Sequence, residues 1–281
     1  MTTAFVLSGG ASLGSVQVGM LLALAEAGVE PDLIVGTSVG AVNGAWTASR
    51  PDRAGIMALG DLWRSLSRND VFPTRPLAGL LGFVGRRPNL VPDDGLRRLL
   101  ADHLEFRRLE DAPIPLHVVA TDVLSGQDVL LSSGDLIDAV VASAAIPAVF
   151  PPVRIGGRDL IDGGVVNNTP LSHAVALGAD VIWVLPTGYS CALPESPKGA
   201  LAMALHGLNL TVNQRLAVDV ARYEREVDVR VIPPLCPIRT SPADFTQSAE
   251  LIVRSHDGAH DWLSSSHPHL GQAALLEPHR L

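Results

Sequence analysis

Two kinds of apolar pattern alternate along this chain. Short segments rich in apolar residues occur at Ala4 to Leu7, Pro31 to Val35, Leu116 to Asp122, Val181 to Leu185 and Val227 to Ile232, the first of them unbroken. Runs of this kind suit strands buried on both faces of a parallel sheet. Between them, apolar positions recur every three or four residues, which predicts helices. These cover Val16 to Ala27 (stopped by Gly28), Ser38 to about Ser49, Asp52 to Leu66, Asp93 to Leu104 and Leu136 to Ala145. Lys198 to Tyr223 and Glu250 to Ser264 complete the set. Ser125-Gly126 and Gly156-Gly157 are turn signals that predict two hairpins, bringing in Asp128 to Leu131, Val153 to Ile155 and Arg158 to Ile161. Asn167-Asn168-Thr169-Pro170 reads as a helix entry, with Thr169 as N-cap and Pro170 at the first helical position. The β-loop-α-β-turn-α opening implies right-handed crossovers and a parallel sheet. With no repeat and no linker, the expected organisation is a single α/β domain over 1–281.

One stretch breaks the pattern. Phe72 to Pro92 carries prolines at 73, 76, 88 and 92, an apolar centre from Leu77 to Val84, and Arg75, Arg86 and Arg87 beside it. It reads either as a proline-rich loop on the core or as a cap that makes peripheral contact with a lipid surface, arginines near the headgroups.

Composition narrows the function classes. A 47% hydrophobic content in 281 residues excludes a disordered chain. The net charge of −8 argues against nucleic acid as a partner, because phosphate binding needs a basic face. No apolar run is long enough to span a bilayer, and Met1 to Leu7 reads as a first strand rather than a leader. Cys191 and Cys236 are far apart, without metal-ligand spacing, and are expected to be reduced thiols in a cytoplasmic protein.

The chemistry concentrates where the second strand ends. Gly36-Thr37-Ser38-Val39-Gly40 fits G-x-S-x-G, a nucleophile on a sharp strand-to-helix turn. Gly36 and Gly40 remove the Cβ atoms that would crowd the turn, and the helix start favours negative charge developing at Ser38. An activated serine also needs a base and donors for an oxyanion. The loop Ser8 to Ser15 after the first strand supplies successive glycine-rich amides that form an anion-binding nest. The same nest would suit a nucleotide phosphate, but the lysine of a P-loop is missing and Ala11 interrupts G-x-G-x-x-G. For the base, no downstream histidine stands in a short loop after a core strand; His256 and His260 share a helix face as a bare i, i+4 pair. Asp162 ends a strand and is followed by Gly163 and Gly164, which let backbone and substrate approach. From these residues alone, a Ser38–Asp162 dyad and a histidine-containing triad both stay open.

Three separated motifs, in order and spacing, resemble the patatin-like phospholipase family. They are Gly9-Gly10-Ala11-Ser12-Leu13-Gly14, Gly36-Thr37-Ser38-Val39-Gly40, and Asp162-Gly163-Gly164 followed by Asn168-Thr169-Pro170. The approach Ala142-Ser143-Ala144-Ala145-Ile146-Pro147-x-x-Phe150-Pro151-Pro152 is also similar. The resemblance covers roughly residues 4 to 176, with 177–281 completing the fold. It implies a three-layer α/β/α fold around a mostly parallel sheet and a dyad without histidine, Ser38 as nucleophile and Asp162 as base. The amides of Gly9, Gly10 and Ala11 would form the oxyanion hole, with Gly14, Gly36, Gly40, Gly163 and Gly164 supporting the motifs. The implied activity is hydrolysis of lipid acyl esters, with no cofactor and no metal. Two positions depart from the family: Ala11 where a third glycine is usual, and Leu13 where an arginine is usual. A non-catalytic acyl-chain or lipid-binding protein on the same scaffold is the alternative.

Overall fold

A computed structural model describes residues 1–73, 89–188, 196, 198–236, 238, 240–265 and 271–276. Its strands are β1 (Thr3–Leu7), β2 (Leu33–Thr37), β3 (Leu116–Asp122), β4 (Asp128–Leu131), β5 (Val153–Ile155), β6 (Arg158–Asp162), β7 (Val181–Leu185) and β8 (Asp228–Val231). They form one sheet in the order β5-β6-β3-β2-β1-β7-β8, with β4 also pairing with β3. The neighbours β3-β2-β1-β7-β8 are parallel, while β4, β5 and β6 join antiparallel through the two expected hairpins.

The helices are α1 (Gly14–Glu26), α2 (Val39–Thr47), α3 (Arg53–Ser65), α4 (Arg68–Val71), α5 (Asp94–His103), α6 (Leu136–Ser143), α7 (Leu171–Ala176), α8 (Ala200–Tyr223) and α9 (Ser248–Leu263). Alternation along the strands decides which face each one covers. Phe5, Leu7, Ile34, Leu116, Val118 and Ala120 point into one cluster with α1, α2, α3, α5, α6 and α9. Ala4, Val6, Val35, Val119, Ile182 and Val184 point the other way, against α7 and α8. The architecture is therefore α/β/α in three layers. Helix α1 is buried on nearly all sides because it lies between the sheet and α9. A Cβ at Gly19 would meet Ser255 and the carbonyl of Ile252, so glycine is what permits that close crossing. Helix α3 carries a single apolar stripe of Ile56, Leu59 and Trp63, and Asp52 caps it by accepting the Gly55 N–H at 2.7 Å.

The pairing around β3 positions the site. Val118 and Val119 are paired with β2 on one side and β4 on the other. Ala120 and Thr121 are paired with β4 and β6. Since β4 occupies one edge throughout, β2 and β6 must follow one another along the opposite edge. Thr37, the last residue of β2, faces Val119, and Asp162, the last of β6, faces Ala120. Two strands running toward each other thus deliver their C-terminal ends to adjacent places.

Two expectations change. Pro170, not Thr169, occupies the cap position, and α7 begins at Leu171. Cys236 is disulfide-bonded rather than a free thiol, which removes the ground for a reducing compartment; Cys191 lies outside the described residues. Of the pair His256 and His260 on the last helix, His256 meets Glu26 through Nε2 at 2.8 Å and Asp257 through Nδ1 at 3.1 Å. The apolar centre of the 72–92 segment also lies outside the described residues. No helix among the described residues is long and apolar enough to cross a membrane.

Candidate active site

Ser38 stands between the end of β2 and the start of α2 with φ 54° and ψ −123°. A non-glycine residue there carries strain of about 1–3 kcal/mol, which the surroundings must impose. They do so by close packing. A Cβ at Gly40 would strike the carbonyl of Leu7, and one at Gly36 would strike Gly40 itself. The turn is jammed against the end of β1, with glycine the only residue that fits on either flank. From α6, the hydroxyl of Ser143 accepts the Ser38 N–H at 2.8 Å and donates to the carbonyl of Val119. That bridge ties the strained peptide to the central strand.

Ser38 is 5% exposed, and its hydroxyl donates to Asp162 Oδ2 at 2.7 Å. The other carboxylate oxygen accepts the N–H of Gly164 at 2.7 Å. Two bonds to the charged form favour ionisation, yet burial outweighs them and pushes the Asp162 carboxyl up from 3.8 to about 6. Gly163 starts a short 3-10 turn that lets the chain leave β6 directly under Val119, where a Cβ would meet the Val119 carbonyl. Among the described residues no histidine is hydrogen-bonded to Ser38 or Asp162. His173 instead meets Asp128 at 2.8 Å, and His117 meets Ser132 at 2.7 Å.

The loop after β1 passes beside this pair, since a Cβ on Gly9 would sit 3.1 Å from that of Ser38. Its three expected donors do not behave alike. The Gly9 N–H is taken by the Asn168 carbonyl at 3.0 Å, so Gly9 is not an available oxyanion donor. The amides of Gly10 and Ala11 meet no partner among the described residues. Ala11 adopts φ 52°, the left-handed region, and so bears strain that the usual glycine would not. Leu13, in place of the usual arginine, packs against the core.

Buried polar side chains hold this loop in place. Thr187 donates its hydroxyl to the Gly9 carbonyl at 2.7 Å and its N–H to Ser8 Oγ at 2.9 Å. Gln17 donates to the carbonyls of Ser8 and Leu185, at 2.9 and 3.0 Å. Asn43 donates to the Gly14 carbonyl and to Gln17 Oε1, and accepts from Trp63 Nε1. Gly14 starts α1 against Val39 and Trp63, so the two helix N-termini lie close together. None of Gln17, Asn43 or Thr187 was singled out from the sequence, and Ser143 stood there only within the stretch that resembles the family's approach to its aspartate. The available signal was polar residues within apolar helix faces, Gln17 between Val16 and Val18 above all.

A cavity opens from Ser38 and Ala11 into the space between α2, α3, α5 and the aromatic side chains Phe72, Phe150 and Phe245. The space within it that the centre of a water molecule can reach is about 70 Å³, and apart from Ser38 and His103 its lining is apolar. Phe72 stacks on Phe150, with ring centres 5.3 Å apart, and the N–H groups of Leu90 and Val91 bond to the carbonyls of Ala148 and Val149. Both described ends of the 72–92 segment are therefore attached at the cavity.

The sequence model of the patatin-like phospholipase family matches residues 5–175, more than half of the chain. Among curated proteins, rat patatin-like phospholipase domain-containing protein 7 is 31% identical over 66% of this chain. Lysophospholipase nte1 of Aspergillus terreus is 30% identical over 74%. The chain spans only 13% of the length of each. Among solved structures, VipD from Legionella pneumophila is similar over 98% of this chain and 66% of its own, at 15% identity and a TM-score of 0.46.

Proposed function

This chain belongs to the patatin-like phospholipase family, and from that premise we propose that it is a serine acyl hydrolase acting on carboxylic esters of lipids. The observation that carries the proposal is the 2.7 Å bond from Ser38 Oγ to a buried carboxylate at the head of an apolar cavity. With its carboxyl at about 6, Asp162 is mostly ionised at neutral pH and able to accept a proton. The apolar cavity suits an acyl chain and offers nothing to a charged or sugar-like group.

The reaction proceeds in two halves. As Ser38 Oγ bonds to the ester carbonyl carbon, its proton passes to Asp162. The amides of Gly10 and Ala11 meet the resulting oxyanion; one well-placed donor is worth about 3 kcal/mol of transition-state stabilisation. Collapse breaks the bond to the leaving alcohol, which departs with the proton from Asp162. Water then gives a proton to Asp162 and attacks the acyl-enzyme, and Ser38 recovers its proton as the carboxylic acid leaves. Gly9 contributes by anchoring the loop to Asn168, so the two free amides need no reorganisation at the moment of reaction. Lipid is proposed to enter from a membrane surface, on the side of the cavity lined by Phe72.

A fluorophosphonate probe with turnover of short-chain p-nitrophenyl esters tests the proposal. Labelling mapped to Ser38, with turnover lost in Ser38→Ala and reduced at least a thousandfold in Asp162→Asn, is expected. Folded protein that neither labels nor turns over would instead be an acyl-chain binder, and full activity in Asp162→Asn would remove the dyad.

A further inference from the structure

We propose that Trp46 is a fixed stop that limits the acyl group to medium chain length, about eight to twelve carbons; this rests on the hydrolase reading above. Helix α2 supplies one wall of the cavity through Ser38, Val39, Val42 and Trp46. Positions 38, 42 and 46 are spaced by four, so they lie in a row along the helix axis. Eight residues at about 1.5 Å each put Trp46 about 12 Å from the nucleophile, the length of an extended chain of roughly ten carbons.

Two indoles of the lining are held by hydrogen bonds, Trp63 to Asn43 and Trp46 to Gly55, and of these Trp46 stands in the row that starts at Ser38. Leucines from α3 and α5 form the sides. Trp46 is 7% exposed, and its Nε1–H donates to the carbonyl of Gly55 at 2.9 Å. The guanidinium of Arg50 covers its ring at 4.1 Å from the centroid. Arg50 is in turn fixed by Glu105 at 2.7 Å and by the carbonyl of His103 at 3.1 Å. The His103 ring, which also lines the cavity, lies 6.4 Å from the Trp46 ring. A longer chain would have to break the indole hydrogen bond and push the ring into a cation that is itself ion-paired. Such a wall excludes length instead of yielding to it.

The test is a chain-length profile of kcat/KM with p-nitrophenyl esters from C4 to C16, read as the ratio of C16 to C4 so that loss of folded protein cancels. Wild type is expected to peak between C8 and C12. Trp46→Ala should raise the ratio of C16 to C4 at least tenfold. Val42→Phe, one turn nearer Ser38, should move the optimum the other way and lower the ratio of C10 to C4 at least tenfold. A wild type that prefers C16, or ratios unmoved in both variants, overturns the stop. Should wild type hydrolyse no ester at all, the hydrolase reading fails on its own. The stop is then judged by tryptophan-fluorescence titration with decanoate and palmitate: tighter decanoate binding supports it, and equal or tighter palmitate binding overturns it.

Discussion

Replacing Asp162 with asparagine is expected to stabilise the fold at alkaline pH while it removes the proposed base. The carboxyl lies at about 6 against an ordinary 3.8, a displacement caused by burial and only partly offset by the Ser38 hydroxyl and the Gly164 amide. Two pH units correspond to about 3 kcal/mol. The direction follows from proton counts. Between pH 4 and 6 the folded carboxyl holds a proton that the unfolded chain has released, so stability falls as pH rises through that window. Above pH 6 the full cost of an ionised, buried Asp162 is present. Asparagine has no such charge. Its Oδ1 accepts the Gly164 N–H, and its amide donates to Ser38 Oγ once that hydroxyl has turned. Urea unfolding at pH 8 should therefore show D162N more stable by about 2–3 kcal/mol, and a parallel series down to pH 4 should show the gain shrinking toward zero. A variant no more stable than wild type at pH 8 would refute the reasoning. So would a gain that persists undiminished at pH 4.

Two further outcomes follow from the same site. Turnover of a short-chain ester should gain tenfold in kcat/KM per pH unit below about pH 6 and level off above it, since only ionised Asp162 accepts the Ser38 proton; an inflection near 4 would mean an ordinary carboxylate. Ala11→Val should lose about 1–3 kcal/mol by urea midpoint and at least tenfold in turnover, because a β-branched side chain at φ 52° adds strain to a donor peptide. Wild-type stability in that variant would contradict the strained loop.

Most of the scaffold is legible before any coordinates, because its signals are local. Continuous apolar runs mark strands buried on both faces, and glycines flanking Ser38 and following Asp162 mark places where only a missing Cβ allows approach. The non-local parts are not legible. That β6 continues the line of β2 along one edge of β3 depends on register across 124 residues, which no periodicity encodes. Gly9 and Gly10 look alike in sequence, yet one amide is taken by Asn168 and the other is free, a difference set by a segment far along the chain. Ala11 at positive φ reverses what its residue type predicts, because the loop's anchors at Ser8, Gly9 and Gly14 fix its path. The bonded state of Cys236 escaped for the same reason, since spacing alone carries no pairing.

The register of β6 also explains why a carboxylate can be proposed as the base without an imidazole between it and the serine. An aspartate at its ordinary 3.8 is a weak proton acceptor at neutral pH, and general-base efficiency rises as the acceptor approaches the working pH. In the proposed mechanism Asp162 gains about two units of basicity from burial, roughly a hundredfold in proton affinity. That burial has a structural source: the strand ends opposite Ala120, one residue along β3 from the partner of Thr37, with Gly163 closing beneath Val119. The same placement sets the 2.7 Å distance to Ser38. Position and basicity therefore share one origin. Moving the aspartate outward to relieve its desolvation would lengthen the bond and weaken the base together, so no change that relieves the burial of Asp162 should keep the proposed chemistry.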